Sequence, residues 1–106
     1  MEGPFPINSV NLHVTRTSPG AYILSRNGKT AHYVGRSDTD LGQRILSSAR
    51  QGTYTHFWFE YCTSPMRAFH TECQWWHDYN PSDNNIHPAV PTGTNWRCPV
   101  EGCPWS

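Results

Sequence analysis

Hydrophobic and polar residues alternate along several short stretches of this 106-residue chain and recur every three or four residues along two longer ones. Ala21 to Ser25 and Ala31 to Gly35 read as paired strands, with Asn27-Gly28 between them as a two-residue hairpin signal. Leu41, Ile45 and Ala49 then form the apolar stripe of a helix. Asp38 or Thr39 caps it, Gly52 stops it just past Arg50, and Gly42 weakens it by about 1 kcal/mol relative to alanine. Tyr54 to Cys62 alternates again, with Phe57, Phe59 and Tyr61 on one face and His56, Trp58 and Glu60 on the other. That pattern predicts a strand half-buried on its aromatic side. Ser64-Pro65 opens a second helix, serine as cap and proline in the first turn, with Phe69, Cys73 and Trp76 as its inner stripe. Asn80-Pro81 ends it.

The order strand, strand, helix, strand, helix predicts an α+β fold: a small, mainly antiparallel three-stranded sheet with flanking helices. Residues 20–85 would form this domain. Residues 1–19 carry a weak strand pattern at Val10, Leu12 and Val14, which reads either as an added edge strand or as a loose extension. Residues 86–106 are rich in Pro, Gly, Asn and Cys and have no helical or strand period. Something other than secondary structure must hold them.

Charge narrows the function. Eight basic and eight acidic residues cancel, which argues against a stand-alone, high-affinity nucleic-acid binder. The charges are unevenly spread: residues 1–60 carry six basic and four acidic groups, the remainder two and four. Seven of the eight basic residues are arginines, suited to a few bidentate phosphate contacts rather than a broad basic face. No apolar run approaches the roughly 18 residues a membrane span needs. The N-terminal Met1-Glu2-Gly3-Pro4-Phe5-Pro6 has neither the basic start nor the apolar stretch of a secretion signal, so the expected location is cytoplasmic. There, Cys62, Cys73, Cys98 and Cys103 would be thiols or metal ligands before disulfides.

The chemistry-bearing residues sit at particular points of this framework. Gly20-Ala21-Tyr22 lies on the first strand and Tyr33-Val34-Gly35 on its partner. Arg44 is on the first helix, Glu72 on the second, and Asn84 follows Pro81. In this order and spacing the set resembles the GIY-YIG nuclease superfamily over about residues 20–84. The second helix, with Ala68 four residues before Glu72, is closest to the repair-nuclease branch. The resemblance implies an endonuclease hydrolysing phosphodiester bonds in DNA, with RNA open as an alternative substrate. It assigns Tyr22 and Tyr33 to the phosphate and the attacking water, Arg44 to clamping the phosphate, and Glu72 to a Mg²⁺ or Mn²⁺ ion. Asn84 matches the polar residue after the helix, with Asn80 and Asn85 as rivals. Ala21 and Val34 are mild departures from the motif, and Arg36 to Leu41 is one residue longer than the form expected. Ser48 is a larger departure. It stands where the family usually has histidine or tyrosine, and serine is no general base at neutral pH; Tyr33 or His56 would have to substitute.

A second set is metal-like. Cys73 and His77 are four apart on the second helix and share a side. With Cys98 and Cys103 from the tail they would make a closed Cys₃His zinc site, and His87 is the alternative histidine. Zinc binding would explain how an aperiodic tail is held. The competing reading is a buried Cys73 with a local disulfide or free thiols at Cys98 and Cys103. Trp58 either stacks a nucleobase or packs under a terminal segment.

Two functional classes therefore compete. One is a small metal-dependent nuclease whose affinity comes from a homodimer, a protein partner or a structured substrate. The other is a nucleic-acid-binding or protein-interaction module that kept the fold without the chemistry. A weaker third reading is a zinc-stabilised structural domain.

Overall fold

The computed structural model describes all residues from Met1 to Ser106. The chain enters through β1 (Glu2–Pro6) and a short 3-10 segment (Ile7–Ser9) into a single helical turn, α1 (Val10–His13). It continues through β2 (Gly20–Ser25), β3 (Tyr33–Ser37), α2 (Leu41–Ala49), β4 (His56–Tyr61) and α3 (Pro65–Tyr79). No helix is long and apolar enough to cross a membrane.

The sheet has four strands rather than three, in the order β1-β4-β2-β3, and every pairing is antiparallel. The added edge strand does not come from Val10, Leu12 and Val14. Val10 and Val14, four apart, are buried on one side of a helical turn, while Glu2–Pro6 pairs with β4. Its two prolines are compatible with an edge position, where one side of the strand has no ladder to donate to. The Asn27-Gly28 hairpin is also corrected. β2 and β3 are joined by residues 26–32, a wider loop in which Asn27 Oδ1 accepts from the backbone N–H of Lys29 and of Thr30, each at 2.8 Å. The local asparagine turn wins over the two-residue hairpin, because one side-chain oxygen satisfies two loop donors.

The helix caps follow from short side chains in extended backbone. Asp40, rather than Asp38 or Thr39, accepts from Gln43 N at the start of α2, and Ser64 accepts from Arg67 N at the start of α3. Both satisfy an N–H that the first turn leaves free. Asn80 ends α3 in the left-handed region, φ 47°.

Side-chain alternation gives the sheet two covered faces. On one, Tyr22, Leu24, Phe57 and Phe59 pack against Leu41 and Ile45 of α2 and against Val10 and Val14. On the other, Ala21, Ile23 and Val34 meet Trp75 of α3, with Trp58 half-buried beside them. The inner stripe of α3 is thus Ala68, Phe69, Glu72, Cys73 and Trp75. Trp76 does not belong to it: its indole N–H turns away and donates to Asn84 O at 2.7 Å. A third apolar cluster joins Phe69 and Cys73 to Cys98 and Cys103 and ties the tail to α3.

Candidate active site

β3 is an edge strand, and this decides where the site can form. Tyr22 and Tyr33 project from the α2 face of the sheet, while Glu72 rises from α3 on the other face. They meet around the free edge of β3. Tyr22, Tyr33, Gly35, Arg36, Asp38, Thr39, Arg44 and Glu72 line one cleft of about 410 Å³ there. Tyr33 and Arg44 also line an adjoining cleft of about 520 Å³ with Ser47, Ser48, Gln51, Tyr54 and Asp83. The two form one groove, with Tyr33 and Arg44 at its waist.

The glycines of the two tyrosine motifs are steric requirements. Gly35 lies opposite Tyr22 across the β2–β3 ladder, and a Cβ there would sit 2.6 Å from the Tyr22 hydroxyl. A Cβ on Gly20 would sit 2.5 Å from Glu60 O and 2.6 Å from a Leu41 methyl. Glycine at both positions lets the Tyr22 ring and α2 lie close on the sheet.

Tyr22 is buried, and its ring stacks on Tyr33 at a centroid distance of 6.0 Å. Its hydroxyl is 2.5 Å from Ser48 Oγ. Burial pushes the phenol well above its ordinary pKa, against the opposing effect of Ser48, so Tyr22 is protonated at neutral pH. Ser48, one turn after Arg44, therefore occupies the Tyr22 hydroxyl. His56 does not line the groove; its Nδ1 lies 2.8 Å from Thr55 Oγ1 at the far end of β4.

Glu72 is only 8% exposed and accepts from Arg36 Nη1 at 2.6 Å. Burial raises its pKa, and Arg36 pulls it back down. The same guanidinium donates through Nε to Asp38 at 3.0 Å and lies over the Phe69 ring. Arg44 is exposed, and its Nη1 donates to Arg36 O at 3.2 Å. No other hydrogen bond engages its guanidinium, which leaves most of that donor fork free at the groove.

Asn84 stands apart from the other predicted site residues. It is outside the groove lining, and its amide clips the edge of β3. Oδ1 accepts from Val34 N at 3.2 Å, and Nδ2 donates to Val34 O at 2.6 Å. Neighbouring Asp83 faces the groove instead. Arg26 donates to both of its oxygens, and Tyr54 donates to Oδ2. Arg26 holds the Asp83 carboxyl down at about 2, and burial with the Asp83 contact pushes Tyr54 up to about 12. Arg36, Tyr54 and Asp83 were not foreseen. Only Arg36 had a signal, its place directly after Gly35.

The metal-like set is rearranged. His77, His87, Cys98 and Cys103 bring their ligand atoms within 4.8 Å of one another. Cys73 is not among them; it is buried one turn earlier against Phe69 and the tail cysteines. This His₂Cys₂ group could hold a metal ion. All four cysteines are free thiols in the structure.

No protein-family model matches the chain, and neither does any curated protein or solved structure.

Proposed function

We propose that the chain is a divalent-metal-dependent endonuclease that hydrolyses phosphodiester bonds in DNA. The observation that carries the reading is the meeting of Tyr22, Tyr33, Arg44 and Glu72, from two strands and two helices, in one groove across the β3 edge. Glu72 suits Mg²⁺ or Mn²⁺: one carboxylate, one oxygen engaged by Arg36, and open volume beside it for the metal's waters. The ion would supply charge neutralisation at the scissile phosphate.

The remaining roles belong to the chain. Arg44 offers a guanidinium fork to the phosphate oxygens, preorganised by its bond to the Arg36 carbonyl. Tyr22, held protonated, donates a hydrogen bond and does not remove a proton. Tyr33, at the waist of the groove, is left to orient the attacking water. The adjoining cleft, walled by Tyr54, Gln51 and Asp83, takes the chain of nucleotides beyond the cut. The low net charge leaves affinity to a second copy or a partner. Zinc is the ion that fits the His₂Cys₂ group, and free thiols suit the cytoplasm.

A second reading has one observation in its favour. Arg36 already holds the carboxylate that the metal would need, as in a module that binds nucleic acid without cutting it. Incubating the protein with branched, single-stranded and duplex DNA and either Mg²⁺ or Mn²⁺ separates the two. Cleavage that disappears in Glu72→Gln supports the nuclease; binding without cleavage of any substrate supports the module.

A further inference from the structure

Residues 80–106 contain no helix or strand, yet Pro81, Pro88, Cys98 and Cys103 within them are buried. The apolar cluster on Phe69 holds only part of this segment. Near His87 a different arrangement appears. His77 Nε2 is buried and has no hydrogen-bond partner, an uncommon state for a polar atom. It shares a space within 4.8 Å with the ligand atoms of His87, Cys98 and Cys103. Cys103 Sγ lies 3.4 Å from His87 Nε2. Zinc at its usual bond lengths sets tetrahedral nitrogen and sulfur ligands about 3.5 Å apart.

The surroundings favour metal ligation over a chance cluster. His87 Nδ1 is 2.8 Å from Pro88 O, which fixes the proton on that nitrogen and leaves Nε2 free to ligate. Cys103 Sγ accepts from Trp105 N at 3.5 Å, and Cys98 N donates to Trp105 O at 2.9 Å, so the Cys98–Trp105 loop is already folded back on itself. Trp105 stacks on the His87 ring at 5.5 Å.

We infer that His77, His87, Cys98 and Cys103 form a closed structural Zn²⁺ site that straps the Asp83–Asn84 segment onto the edge of β3. His77 anchors the site to α3, and His87 follows Asn84 by three residues. The segment between these anchors is held by Trp76, which donates to Asn84 O, by Asp83 N, which donates to His32 O, and by the Asn84 amide, which takes both backbone groups of Val34. Zinc thereby holds the segment that covers the open ladder of β3 and carries Asp83 into the groove wall. The strap's relevance to catalysis rests on the nuclease reading; zinc binding and the strap do not.

The test uses the full chain, purified reduced after expression with added zinc, and reads metal content and amide hydrogen exchange without any cleavage assay. About one zinc per chain is expected. It is lost in His87→Ala and in Cys98→Ser and kept in Cys73→Ser. Removing zinc with a chelator should speed exchange of the Val34 and Asp83 amides by about 10-fold or more while β2 amides keep their protection. Zinc-free folded protein, a Cys98–Cys103 disulfide in its place, or zinc retained in His87→Ala overturns the site. Unchanged exchange at Val34, or loss of protection in β2 to the same degree, overturns the strap.

Discussion

Arg36 Nη1 donates to Glu72 Oε1 at 2.6 Å, so the carboxylate proposed to take a catalytic metal is already paired with a cation. Both groups are largely buried, at 17% and 11% side-chain exposure. A metal entering on Glu72 competes with Arg36 for the charge of this carboxylate. Arg36→Gln removes the competitor, and losing one charge-assisted bond of about 1.5 kcal/mol should tighten Mn²⁺ binding by about 10-fold. Paramagnetic broadening in a manganese titration reads this directly. It should centre on Glu72, Tyr33 and Arg44 in both proteins and saturate earlier in the variant. Equal titration curves would mean that Arg36 does not guard the carboxylate.

Gly35 makes a steric prediction about the tyrosine pair. In Gly35→Ala the new methyl carbon meets the Tyr22 hydroxyl and ring at 2.6–2.9 Å, and the Tyr22 ring is packed in a core it shares with Phe59 and Ile45. Overpacking of this kind destabilises by about 1–3 kcal/mol. Denaturant unfolding should show that loss in the wild-type background and a smaller one when Tyr22→Leu is already present, since the clash partner is then gone. Additive losses would place the strain elsewhere.

Much of this architecture was legible because it is local. The alternation of Phe57, Phe59 and Tyr61, the Ser64 cap and the stripe through Phe69 and Cys73 all depend on residues a few positions apart. What escaped depends on distant partners. Glu2–Pro6 carries no strand period and becomes a strand only because β4 offers it an edge. Arg36 and Glu72 are brought together by the passage of β3 past α3. The helical spacing of Cys73 and His77 placed them on one side of α3 but could not divide them. Cys73 is buried beside Phe69 in the apolar cluster, while His77 brings a ring nitrogen to the tail cysteines, and the fourth ligand atom comes from His87, in a segment without any period to read. For Asn84, the family resemblance implied a polar site residue after the helix but not that backbone groups of Val34 would use its whole amide.

Asp83 gives a pH dependence with a definite sign. Its carboxyl is lowered from an ordinary value of 3.8 to about 2 in the folded protein, first by the hydrogen bond from Arg26. A depressed carboxyl contributes stability that is present above about pH 4 and is lost as pH falls through about 2. Asp83→Asn should therefore be less stable than wild type at neutral pH, and the gap should close between about pH 4 and pH 2. Urea midpoints measured across that range check it. A gap that stays constant to pH 2 would show that the contribution of Asp83 is not electrostatic.

Arg44 and Ser48 separate the nuclease from the binding module. Arg44 is the exposed guanidinium at the waist of the groove, anchored by one bond to the backbone of β3. A donor aimed at a phosphate matters most as charge builds in the transition state. In a live enzyme Arg44→Ala should lower cleavage by about 10²-fold or more, the usual loss for one such donor, while DNA affinity changes far less. Ser48 now meets the Tyr22 hydroxyl at 2.5 Å. Ser48→His places an imidazole, a general base near neutral pH, beside that hydroxyl and should hold or raise the rate. Cleavage by wild type that survives Arg44→Ala undiminished would remove Arg44 from the reaction. If wild type cuts no substrate with either metal and Ser48→His does not rescue it, the groove binds without cutting. Arg44→Ala should then weaken binding and reduce its dependence on salt by about one phosphate contact.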